Sequence, residues 1–351
     1  MNVPLLPRAA WLCALFLLPL GAARAARIET RTIDEHRAAD PQAQIEIVNV
    51  SGGVEVSGWD RPEIEVTGTL GAAIDRLDIS TTGSRIVIRV VPSEGGARYW
   101  GSVMHSAREA FLVVHMPRGG SLSASLVSAD LSVTGVQGDQ ELQTVSGDIR
   151  SSAARDVRIH SVSGDVHLAA GPAAGLVEIG SVSGEVEVNG GHGELSVSTV
   201  SGGGKLVLGT LMHARLKTVS GDFQVHAALA PDGLLEAQSV SGDIALEFIG
   251  GAPAADYELH SVSGALKACF GPAAVHEGFG AGSRLSFRSG AGGARVRIDT
   301  QSGAVSLCAQ SLSGAHSPDP AQWWPAVRFR ATRHRPSRSH SGTCELCLLS
   351  S

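Results

Sequence analysis

The sequence predicts an all-β protein, and within that class a repeat β-solenoid, parallel β-helix-like, with coils of about 19 residues. Three observations carry this. Val-Ser-Gly is read as a turn at eight places, first at Ser51 and then at Ser146, Ser163, Ser183, Ser201, Ser220, Ser241 and Ser263. The last seven follow one another at intervals of 17, 20, 18, 19, 21 and 22 residues. Apolar and polar residues alternate on both sides of each turn, and no unit carries a helix-length apolar period. An antiparallel β-sandwich or roll is the alternative, because short strands at regular spacing suit those folds too. Repetition of one motif in one register favours the solenoid.

The unit Val157 to Leu168, VRIHSVSGDVHL, shows the logic. Val157, Ile159 and Ser161 share one face, with Arg158 and His160 on the other, as in a half-buried strand. After the turn Val166 and Leu168 restart the alternation around His167. The Ser-Gly pair is therefore a corner between two short strands. The expected corners are Ser146-Gly147, Ser163-Gly164, Ser183-Gly184, Ser201-Gly202, Ser220-Gly221, Ser241-Gly242 and Ser263-Gly264. Glycine suits a bend that needs positive φ, and serine can hydrogen-bond nearby backbone. Stacked coils would place equivalent strands about 4.8 Å apart.

The ends differ from this middle. Residues 1–25 read as a signal peptide: Arg8, then the apolar WLCALFLLPLG, then Ala23-Arg24-Ala25 as a small-x-small cleavage site. The expectation is an exported chain, periplasmic or at the cell surface or secreted, with no transmembrane segment after cleavage. Residues 26–120 are β-rich but less repetitive, and read as opening turns of the solenoid or a β cap. A cap is needed because an open solenoid end exposes strand edges. The stretch from Pro92 to Ala110, with Tyr99-Trp100, interrupts the pattern as a surface loop. Residues 121–310 form the repeat domain. Residues 311–351 lose all periodicity, hold Trp323-Trp324 and five arginines against Asp319 and Glu345, and read as a disordered basic tail. A misannotated or frameshifted end is the alternative for this segment.

Composition narrows the function classes. A formal charge of −6 gives no basic stripe for nucleic acid. In an oxidising compartment Cys269 and Cys308, both on strand-like segments, are candidates for a disulfide that staples the C-terminal end. Cys344 and Cys347 form a lone CxxC without the second ligand pair of a zinc site.

Two columns invite a chemical reading. Asp148, Asp165 and Glu185 follow successive corners, Gly203 breaks the series, Asp222 and Asp243 resume it, and Ala265 ends it. Such a line could bridge calcium or supply a glycan-cleaving carboxylate pair. The simpler reading is a turn residue that hydrogen-bonds its own corner. The second column, Thr144, Ser161, Ser181, Thr199, Thr218, Ser239 and Ser261, is read as hydroxyls supporting the corners. His160 and His260 hold one position in units five apart, about 24 Å, too far to share a metal. No HExxH or GxSxG is present, and GFGAGS from Gly278 to Ser283 lacks the lysine of a phosphate loop. The expectation is therefore no catalytic residues, no cofactor and no metal.

The segment VNVSGGVEVSGWDRPEIEVTGTLG, the SVSGDV series and the closing IDTQSGAVSLC together resemble the bacterial putative-adhesin family, a domain of unknown function built from β-strand repeats. The resemblance covers about residues 40–310 and implies an exported, non-enzymatic β protein. The expected function is a non-catalytic cell-envelope protein presenting a repeat β surface for adhesin-like binding or scaffolding. Its partner would be an envelope protein or glycan. A polysaccharide-active β-helix enzyme is one alternative, by analogy of fold alone. An envelope-stress or assembly accessory that binds a partner protein is another.

Overall fold

The computed structural model describes residues 30–93, 109–276 and 282–310. The expected signal peptide, the surroundings of Tyr99-Trp100, most of GFGAGS and the basic tail with its CxxC lie outside them.

The described chain is a β-solenoid with two walls of stacked parallel strands. In the front wall Gln140–Ser146, Val157–Ser163, Leu176–Ser183 and Gly193–Ser201 pair in turn, with Ser146, Ser163, Ser183 and Ser201 directly opposite one another. In the back wall Ile149–Ala153, Val166–Ala170 and Val186–Gly190 do the same after each corner. Further on, Gly204–Thr218 and Phe223–Ser239 each run from the back wall of one coil into the front wall of the next. Burial alternates along the strands of the two walls up to each corner. Val157, Ile159, Val166 and Leu168 point into one continuous apolar core, while Arg158 and His160 face out. No helix of the described residues is long and apolar enough to cross a membrane.

The solenoid begins at Gln44–Trp59, which pairs along both halves with Ser121–Thr134. Beyond it Arg85–Pro92 and Ala110–Pro117 extend the front and back walls in parallel. Antiparallel strands Ile74–Thr82, Glu63–Leu70 and Arg31–Ala38 then close that end. Changing direction in this way stops the parallel stack from growing.

Two corners lack the full motif. Val127-Ser128-Ala129 sits between the corners of Ser51 and Ser146. Gln301-Ser302-Gly303 sits between those of Ser241 and Ser263. The second reveals a departure from chain order. The spacing predicts that the coil of Ser263 stacks directly on the coil of Ser241. Instead Ala294–Thr300 and Val305–Gln310, the last coil in sequence, lie between them. His160 and His260 are thus six coils apart rather than five, roughly 29 Å. Surface charge complements this order. Stacked in chain order, Glu236 and Glu258 would be neighbours. The inserted coil places Arg297 between them, opposite both, with its guanidinium 3.0 Å from Glu258. Like charges directly opposite destabilise a sheet and opposite charges stabilise it.

The far end is closed by Ser283–Ser289, antiparallel to Ala255–Ser261. Fully buried Tyr257 stacks on Phe287 at 4.6 Å and meets Phe248 and Phe270 edge-on. Burial pushes its phenol pKa up, and its hydroxyl donates to the Pro253 carbonyl at 2.9 Å. Arg288 forms a two-pronged contact with Asp256 that holds this carboxyl below its usual range. In the structure Cys269 and Cys308 are joined, Cα atoms 4.9 Å apart, tying the inserted coil to the outer one.

Candidate binding surface

The corners form one continuous column. Their glycines are packed for a reason the sequence shows only in part. Gly164 does have positive φ, 130°, but Gly242 does not. At both, a Cβ would collide with the carbonyl of the glycine one coil earlier, Gly147 or Gly221. Close approach between coils, more than backbone conformation, is what excludes a side chain.

The acidic column is bound into this stack. The Asp148 carboxylate accepts the Asp165 N–H at 3.1 Å, and the Asp165 carboxylate accepts the Glu185 N–H at 2.9 Å. Asp222 receives the Asp243 N–H at 2.8 Å, and Asp243 the Ala304 N–H at 2.7 Å. The expectation that each acid bonds its own corner is corrected: the aspartates Asp148, Asp165, Asp222 and Asp243 each accept from the next coil. The series also starts one coil earlier, at Asp130, which accepts the Asp148 N–H at 3.0 Å. Before Asp130, Ala129 stands in place of the marker glycine. The hydroxyl column is buried behind the corners, with Ser239 accepting from the Gly242 N–H at 2.9 Å and Thr300 from Gly303 likewise.

Among the described residues, Asp34, His36 and Glu65 bring ligand atoms within 4.8 Å of one another on the N-terminal cap. No motif spacing marks them, because two strands supply them. All are at least partly exposed, and His36 is paired to Asp34 at 3.1 Å.

The outward front wall carries the feature that alternation alone does not reveal. The residue just before each corner serine is exposed, and in nine of the ten coils it is valine: Val50, Val127, Val145, Val162, Val182, Val200, Val219, Val240 and Val262, each 40–52% exposed. Gln301 fills the tenth place. Single exposed valines are ordinary, but a stripe of them in register is a contiguous apolar ridge. Beside it runs a groove of about 540 Å³, with Val145, Val162, Val182 and Val200 along one side. Small side chains such as Ser125, Gly180 and Ser198 keep the groove open.

Two residues further out from the groove lies a row of charges. In spatial order it reads Glu141, Arg158, Glu178, Ser196, Arg215, Glu236, Arg297, Glu258. Neighbours pair along it, Arg158 with Glu178 at 3.3 Å and Arg215 with Glu236 at 3.2 Å. The front wall thus offers three parallel rows: apolar, small or mixed polar, and alternately charged. Such a surface can hold a partner with the same axial repeat.

A family model described as Toastrack DUF4097 matches residues 42–308. Solved structures that resemble the chain include a "putative lipid binding protein" from Parabacteroides distasonis, at 15% identity over 81% of this chain and 97% of the other, with TM-score 0.38. A "putative adhesin" from Bacteroides fragilis is 10% identical over 79% and 97%, with TM-score 0.34. A "putative cell adhesion protein" from Clostridium sporogenes is 8% identical over 80% and 100%, with TM-score 0.23. Likeness this low carries no argument about binding. No curated protein matches the chain.

Proposed function

This chain belongs to the Toastrack DUF4097 family, and we propose that it is a non-catalytic, exported cell-envelope protein that binds a partner through its front wall. The observation that carries the reading is the ridge of nine exposed valines in register. Nothing about folding a coil requires an outward valine beside the corner, since Gln301 holds the same place in a fully paired coil. A contiguous apolar stripe beside a groove and a charged row is the composition of a protein-binding surface rather than of a bare solvated one. The corner aspartates Asp148, Asp165, Asp222 and Asp243, which a polysaccharide-cleaving reading would enlist, are already engaged by backbone N–H groups. That supports a structural role for them. Export rests on the N-terminal 25 residues, and fractionation of cells making the full chain tests it.

Binding of the purified chain to isolated cell envelopes tests the surface. Val162→Asp with Val182→Asp places two charges on the ridge without touching the core. Envelope binding should fall strongly in this variant while its melting temperature holds. Equal binding by both proteins, or turnover of an envelope polysaccharide by the parent, would remove the reading.

A further inference from the structure

Resting on that binding face, we propose that its partner is a second copy of this chain, docked wall to wall and antiparallel about a two-fold axis along the strand Gly193–Ser201. The charged row carries the argument. It alternates in sign, but at Ser196 it is neutral and the phase inverts. One coil to either side stand Glu178 and Arg215; two coils away, Arg158 and Glu236; three coils away, Glu141 and Arg297. Each of these six residues therefore has its opposite charge at the mirrored position, and four coils away Glu258 meets the neutral Ser123. An uninterrupted alternation would put like charge on like charge about any strand. An isologous interface is self-complementary, with residue i meeting j and j meeting i. Antisymmetry about a neutral midpoint is what that symmetry demands of charges.

The other two rows comply. A two-fold along the strand keeps each row facing itself and reverses the order of coils. Val200 then meets Val200, Val182 meets Val219, and Val162 meets Val240, so the ridge packs on itself. In the row between, Ser198 meets itself, Gly180 meets Lys217, and His160 meets Gln238, with no like charges opposed. One contact is unfavourable: Glu194, near the start of the dyad strand, faces its own copy, although His213 lies 3.5 Å from it in each chain. The size is adequate. The nine coils from that of Ser128 to that of Ser263 overlap about this axis; at about 4.8 Å each, with a width of about 17 Å from the charges to the corner, they give on the order of 700 Å² per chain. A standard interface buries about 800 Å² of each partner.

The experiment is sedimentation equilibrium of the full chain at micromolar concentration, in low and high salt. The parent should dimerise, more weakly in high salt. Glu178→Arg and Arg215→Glu should each weaken the dimer by about tenfold or more, because each opposes like charges at two places across the dyad. The double variant should restore it, since the two sites face each other. Val200→Cys should cross-link to its own copy on oxidation, whereas Val145→Cys, facing Gln301, should not. A parent monomeric throughout overturns the proposal, as does a dimer in which the double variant is no better than either single one. If the parent is monomeric yet the ridge variant still loses envelope binding, the partner is another molecule and the binding face itself stands. If neither dimer nor envelope binding responds, both readings fall.

Discussion

The Gly164 site and the Asp165 carboxylate next to it do different work. Gly164 has φ of 130° and no room for a Cβ against the Gly147 carbonyl. Gly164→Ala should therefore destabilise by on the order of 1–3 kcal/mol, read as a lowered urea midpoint at unchanged slope. Asp165 receives the Glu185 N–H of the next coil. Asp165→Ala leaves that donor without its acceptor and should cost about 1–2 kcal/mol. Asp165→Asn keeps an acceptor oxygen and should be close to neutral. A calcium ladder predicts otherwise: millimolar calcium would raise the melting temperature of the parent and not of the Asn variant. Thermal unfolding of both proteins with chelator and with calcium separates the two, and no calcium shift is expected.

Strands in the middle of the solenoid are each held by two like neighbours, but the last two coils depend on each other. The outer coil Ala255–Ala268 has only the inserted coil behind it and the antiparallel strand Ser283–Ser289 in front. Cys269 and Cys308 join the two coils across a sequence separation of 39 residues. Closing a loop of that length lowers denatured-chain entropy, worth about 3–4 kcal/mol on the loop-closure model. Cys269→Ser with Cys308→Ser should accordingly lower the melting temperature of the exported protein. Reduction of the parent should lower it by a similar amount and leave the double variant unmoved. Free thiols at both positions in a non-reduced digest of exported protein would contradict this.

At the scale of the whole molecule, both packing and surface charge bear on the order of the last three coils. Their corners are alike, while one core row holds Leu235, Val296 and Tyr257 and an outward row holds Glu236, Arg297 and Glu258. Arg297 lies opposite Glu236 and Glu258, and its hydrogen bond to Glu258 is the main cause of its raised pKa. Arg297→Glu would place three carboxylates in a line. The expected outcome is a lower melting temperature in low salt that high salt largely restores, with Arg297→Ala in between. An effect independent of salt would mean that packing around the aromatic plug of Tyr257, and not charge, fixes the order.

Much of the fold is legible in the sequence because its signals are local. Period-two alternation fixes which side chains turn inward, and the Ser-Gly pairs mark out most of the coils. Hence Val157, Ile159, Val166 and Leu168 could be assigned to the core from spacing alone. The corners at Ala129 and Gln301 depart from the motif because other residues can satisfy the same corner geometry. The exposed valines were hidden in plain view: each belongs to the repeat motif, but outward projection at a corner, where alternation breaks, depends on how the backbone bends. Stacking order, the partner of each corner carboxylate and the antisymmetry of the charged row were decided only in three dimensions. They are relations between coils, and residues 61 apart in the chain, such as Asp243 and Ala304, meet only once the last coil has slipped between its neighbours.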